Sequence, residues 1–157
     1  GMGMGVVIGG VTAGAAATAA TAAAAAAAAA TAAVAAAILM MGDAPYEPRR
    51  ATARLVAIEA RFDAIVEGDG GRKEMAAALE KEIVAPLEAL AGDARLADRR
   101  MPRRTSERVE RLRRYARARA DVVRRFATAV RDDDVAPLPD IERASQAADA
   151  VLDGPLP

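Results

Sequence analysis

The first 42 residues of the chain, Gly1 to Gly42, contain no charged side chain and are mostly alanine, with nine in a row at Ala22 to Ala30 and an apolar close at Ile38, Leu39, Met40 and Met41. The run is longer than the roughly 18 to 20 residues at which a helix can cross hydrocarbon. Charge begins abruptly after it, at Asp43. A segment of this kind belongs in lipid or inside a protein assembly, and it divides the chain into residues 1–42 and a charged portion, 43–157.

As one helix, Val6 to Met41 would be about 54 Å long against a hydrocarbon layer of about 30 Å, so a single crossing leaves material over. The expected crossing is Ala20 to Met41, anchored by Ile38 to Met41 and by Tyr46 as an interfacial aromatic. Before it, Gly5 and Gly9, and then Gly10 and Gly14, stand four apart. That spacing lets two helices approach until their backbones touch, so these four glycines are the expected helix-packing positions. Thr12, Thr18, Thr21 and Thr31 can bond to carbonyls of the preceding turn, which satisfies their hydroxyls in lipid.

No positive n-region precedes the run and its apolar stretch exceeds that of a secretory signal, so cleavage is not expected. The Gly1-Met2 start reads either as a tag-removal scar ahead of an initiator methionine or as a processed terminus. Arg49, Arg50 and Arg54 follow the run and no basic residue precedes it, which places the charged portion in the cytoplasm of a single-pass protein, with the bacterial inner membrane as the expected site. The preference for Ala, Gly, Arg, Val, Asp and Pro over Lys, Asn, Ile and Phe is what GC-rich codons give and points to a bacterial source.

The reactive inventory is sparse. The chain has no Cys, His, Trp or Asn, and only two Ser, Ser106 and Ser145. Disulfides are excluded, as are Cys/His zinc sites and nucleophiles partnered by histidine. The expectation is a non-enzyme with no catalytic residue, no metal ligand and no cofactor.

The fold class expected is all-α: the N-terminal transmembrane or assembly-buried helix, then a small antiparallel bundle of three to four helices. Pro48 suits a first turn, and Leu55, Ile58, Phe62, Ile65 and Val66 recur at helical spacing until Gly68-Asp69-Gly70-Gly71. A second helix starts near Arg72 with the stripe Met75, Leu79, Ile83, Leu87 and Leu90, kinked at Pro86 and closed by Gly92. The third runs from about Arg103 to Arg131 with Val109, Leu112, Ala116, Val123, Phe126 and Val130 on one face. The fourth is short, Pro139 to Leu152, and the chain ends in a flexible acidic tail. The 92–102 link, with Pro102, reads as mobile. The core should be thin and aliphatic, because Phe62, Phe126, Tyr46 and Tyr115 are the only aromatics.

Net charge is zero but unevenly spread. Residues 99–131 hold thirteen Arg against Glu107, Glu110 and Asp121, while 132–157 hold seven acids against Arg143. Arg103, Arg114, Arg117 and Arg125 fall opposite the apolar face of the third helix and are the candidate contact for an anionic surface. Glu107 with Arg111, Glu110 with Arg114 and Asp121 with Arg125 are favourably ordered i,i+4 pairs. Nucleic acid is disfavoured because base-stacking aromatics are missing. The glycine-rich 68–71 loop beside Arg72 and Lys73 fails phosphate-loop spacing and reads as a turn.

The function expected from these features is a membrane-anchored helical protein working through protein contacts, as an anchor, adaptor or accessory subunit of a membrane complex. Its partners would be other membrane-protein subunits or itself, with anionic lipid headgroups as a further contact. The alternatives are a self-assembling structural subunit of a filament, ring or pore packed through its Gly/Ala helix, and an accessory domain of a larger membrane enzyme.

Overall fold

The computed structural model describes residues 46–96 and 101–153. The expected crossing and the four packing glycines, Gly5, Gly9, Gly10 and Gly14, lie outside the described residues. Among those described, no helix is long and apolar enough to cross a membrane.

The described chain is all-helical. Helix α1 is Tyr46–Glu67, α2 is Arg72–Leu79, α3 is Ala85–Ala91, α4 is Arg103–Asp132 and α5 is Leu138–Asp153. A π-helical turn, Glu80–Val84, joins α2 to α3 without a break. The kink expected at Pro86 takes this form. In a continuous α-helix Pro86 would have no N–H for the Glu82 carbonyl and its ring would press on that carbonyl. The wider turn, in which the Ala85 N–H reaches back five residues to the Glu80 carbonyl, removes the conflict and leaves Pro86 in the first turn of α3, where a proline is tolerated.

The apolar stripes read from the sequence all face inward. Leu55, Leu79, Ile83, Leu87, Leu90, Leu112 and Ala116 are fully buried, and Val123, Phe126, Val130, Ile141 and Leu152 nearly so. The thirty-residue α4 is the hub: α2, the π turn and α3 pack along one side of it, and α5 along another. With α2, the π turn and α3 taken as one arm, successive arms alternate in direction. Arg61 meets Glu82 and Arg54 meets Asp93 across the α1 hairpin, while Arg124 meets Glu88 and Arg131 meets Glu80 across the next. Helices α1 and α4 therefore run parallel.

Local geometry sets the start of α2 and closes the end of α4. Glu74 folds back beside the Gly71 N-cap, its carboxylate oxygen 2.5 Å from where a Cβ would stand. At the end of α4, Asp133 adopts φ 53° and ψ 46°, the left-handed cap conformation. The Asp134 N–H then donates to the Ala129 carbonyl and the Asp133 N–H to that of Val130, which satisfies carbonyls the helix leaves open.

Two loose regions expected from the sequence are tied down where they are described. In the 92–102 link, Ala94–Leu96 forms a 3₁₀ turn, Leu96 is buried, and Asp93 is held by Arg54 and Arg95. Most of the acidic C-terminal stretch is α5, packed on α4 through Ile141, Ala148 and Leu152; residues 154–157 lie outside the described residues.

Candidate functional site

The core is not purely aliphatic. Glu59 stands on the α1 stripe one turn from Leu55, and Arg119 stands on the α4 stripe one turn before Val123; both are buried, at 1% exposure each. The Arg119 Nε donates to both Glu59 oxygens, at 3.2 and 3.1 Å. The Tyr115 hydroxyl donates to Glu59 Oε2 at 3.1 Å, and Arg119 Nη1 donates to Ser145 Oγ on α5 at 3.3 Å. One guanidinium thus joins α1, α4 and α5. Its carbon lies 4.9 Å from the centre of the Phe62 ring, whose own neighbour is Phe126 at 6.2 Å. Nη2 of Arg119 is buried with no hydrogen-bond partner among the described residues, so the ring face and nearby carboxylates must compensate it.

Electrostatics in this cluster keep the arginine charged and the tyrosine neutral. Burial works against the Arg119 charge, but the negative charges of Glu59 and Asp149 outweigh it and push its pKa above the ordinary value. Burial, helped by Glu59, pushes the Tyr115 phenol far above its usual range. A phenol so held is a donor and not a base, and with Tyr115, Arg119, Glu59 and Ser145 all closed to solvent the cluster has no face for a dissolved substrate. Its physical work is to fix which residues of three helices meet.

The arginines singled out for an anionic surface are all on the outside of α4. Arg103 is bound by Glu107 at 3.1 Å and Arg125 by Asp121 at 3.0 Å; Arg114 and Arg117 are exposed and pair with no described residue. Of the three i,i+4 pairs expected, the Asp121–Arg125 pair forms. Glu107 binds Arg103, and Glu110 approaches Arg113, at 3.9 Å.

A groove of about 360 Å³ separates the last turns of α4 from the start of α5, lined among others by Arg124, Thr128, Asp132, Asp134 and Ile141. Much of its polar lining is already engaged: Arg124 with Glu88 and Asp121, Thr128 with the Arg124 carbonyl, and Asp134 with the Ala136 N–H. Among the described residues no group of three or more carboxylates is placed to hold a metal ion. Comparison of the chain with protein-family models, with curated proteins and with solved structures finds no match.

Proposed function

We propose that this chain is a non-enzymatic, membrane-anchored helical protein that acts through protein contacts, as an anchor, adaptor or accessory subunit. The observation that carries the reading is the junction itself. Forty-two uncharged residues lead, across Asp43, Ala44 and Pro45, directly into α1 of a charged helical bundle. A segment with no charge and at least one span's length gains most by leaving water. On this reading the bundle stands in the cytoplasm, because the arginines lie on its side of the segment.

Two surface features support contact with protein. Ala53, Val56, Ala57, Ala60 and Ala64 are exposed along one face of α1, small enough for another helix to approach closely. The remaining surface is dense in ion pairs, whose individual worth is only ~0.2 to 1 kcal/mol but whose pattern can discriminate between partners. The glycine spacing at Gly5, Gly9, Gly10 and Gly14 favours a second reading, a self-assembling subunit packed through the Gly/Ala segment.

Extraction decides between them. The intact chain should stay with membranes through alkaline carbonate and enter detergent as a small complex. Release as a soluble monomer would overturn the proposal, and one large uniform assembly in detergent would move it to the structural subunit.

A further inference from the structure

The bundle is electrically polar along its axis. Because α1 and α4 run parallel, their first turns share one end, and the turns after α1 and after α4 share the other, where Arg72 reaches the Arg131 carbonyl at 3.4 Å and Asp133 at 4.0 Å. The first end displays Arg49, Arg50, Arg103 and Arg104, all exposed. Arg103 is engaged by Glu107, while Arg49, Arg50 and Arg104 pair with no described carboxylate. The N-terminus of α4 adds partial positive charge at the same end, and the C-terminus of α3 adds partial negative charge there. At the opposite end, residues 67–74 and 131–140 hold seven carboxylates against Arg72, Lys73 and Arg131. Arg119 bonds Ser145 on α5, which ends eight residues later, whereas Arg104 lies fifteen residues back along α4, so α5 stops short of the arginine-bearing end by about 10 Å at 1.5 Å per residue.

We propose that this end, through Arg49, Arg50, Arg103 and Arg104, is a binding surface for the phosphate headgroups of anionic phospholipids, seating the bundle upright on the membrane. The proposal rests on the membrane reading above. Two independent lines converge on it. The first is chain length. Four Cα steps separate Gly42 from Tyr46, a reach of about 14 Å, so if the uncharged segment ends at the hydrocarbon boundary, the α1 start must stand in or next to the headgroup layer. The second is charge: the end that connectivity brings to the headgroups carries exposed Arg49, Arg50 and Arg104 with no partner among the described residues, and the far end is acidic.

The contact is therefore end-on. Arg114 and Arg117 stand about 15 and 20 Å along α4 from Arg104, beyond the screening length of about 8 Å, and Arg125 is already committed to Asp121. Nucleic acid offers the same phosphate chemistry, but among the described side chains the aromatics Phe62, Tyr115 and Phe126 are buried and offer bases no stacking face.

The chain has no native cysteine, so single cysteines at Ser106, beside the basic end, and at Ala136, at the acidic end, can carry a donor dye on the full-length protein. Reconstituted in phosphatidylcholine vesicles with a headgroup acceptor dye, the Ser106 position should transfer energy more efficiently than Ala136. Adding 30% phosphatidylglycerol at low salt should raise the ratio of the two at least twofold, and high salt should reverse that rise. Changing Arg49, Arg50, Arg103 and Arg104 to Gln should abolish the rise while the protein still floats with the vesicles. A protein that floats but shows no dependence on acidic lipid, or whose Ala136 end is the closer, overturns this proposal and leaves the anchor standing. A protein that does not float removes both. Binding of a labelled DNA duplex through the same four arginines, with no response to acidic lipid, would reassign the surface to nucleic acid.

Discussion

At the scale of single residues, the pair Glu59 and Arg119 is the costliest arrangement in the bundle and the one that most narrows its alternatives. Taking two charges out of water costs several kcal/mol per ion, which mutual attraction and added hydrogen bonds offset only when the geometry is good. Here Tyr115, Ser145 and the Phe62 ring supply those additions. Removing one partner leaves the other buried and uncompensated, so Glu59→Leu should destabilise the protein by about 3 to 5 kcal/mol in urea denaturation, near the whole stability of a small domain. Replacing the cluster together, as Glu59→Leu with Tyr115→Phe and Arg119→Met, should recover most of that loss. Single and triple variants that behave alike would mean the pair contributes no coupling. A second residue governs acid behaviour. Hydrogen bonds from Arg95, with further help from Arg54, outweigh burial and hold the Asp93 carboxyl far below its ordinary value of 3.8. Its folded pKa is depressed, so its contribution is present above the unfolded value and lost as pH falls toward the folded one. The gap in urea midpoint between the parent and Asp93→Asn should be full at pH 7 and shrink steadily below about pH 4; a gap constant down to pH 2 would remove Asp93 from the acid response.

At the scale of elements, helix positions and inward faces were legible because helical spacing, glycine turns and prolines all point the same way in this chain. Leu112 and Val123 are buried where the stripe puts them, and the 68–71 turn falls where the glycines cluster. The polar core was missed for a definable reason. A stripe is read from its apolar members, and the α4 stripe then has a gap between Ala116 and Val123 that Arg119 fills; on α1, Glu59 lies one turn from Leu55 in the same way. Two opposite charges sitting on two apolar stripes were the available signal, but periodicity cannot say that the stripes face each other. The π turn was half legible. Pro86 announces a disturbed helix, whereas the remedy, one residue accommodated in a wider turn before it, depends on packing. That account makes a non-additive prediction. Deleting Lys81, exposed on the π turn, should restore α-helical winding and return Pro86 to a helix interior at a cost of about 3 kcal/mol. Pro86→Ala in the same chain should cancel most of that cost, and thermal melts that show no rescue would mean the π turn has another cause.

At the scale of the whole molecule, the bundle's axial charge and the uncharged segment constrain each other. If the segment anchors the chain as proposed, an attachment point at the acidic end would set seven carboxylates against anionic lipid, whereas parallel α1 and α4 carry Arg49, Arg50, Arg103 and Arg104 to the end where the segment joins. On the proposed membrane reading, Arg49 and Arg50, together with Arg54, also count as flanking charge that sets the direction of insertion, since basic residues near a span are retained on the cytoplasmic side. On that reading orientation and seating share Arg49 and Arg50 only, so Arg54 on one side and Arg103 and Arg104 on the other separate them by experiment. Ala94 is exposed in the 3₁₀ turn near this end, and a cysteine there would be the only thiol in the chain. In intact cells it should resist an impermeant maleimide and react once the cells are opened. Changing Arg49, Arg50 and Arg54 to Gln should weaken the retention signal and make a fraction of the chains reactive from outside, because the rule weighs basic residues close to the span most heavily. Arg103→Gln with Arg104→Gln, about fifty residues further on, should leave orientation unchanged while loosening the bundle from acidic lipid. Labelling of the unaltered protein in unopened cells would reverse the orientation and place the basic end against the opposite leaflet.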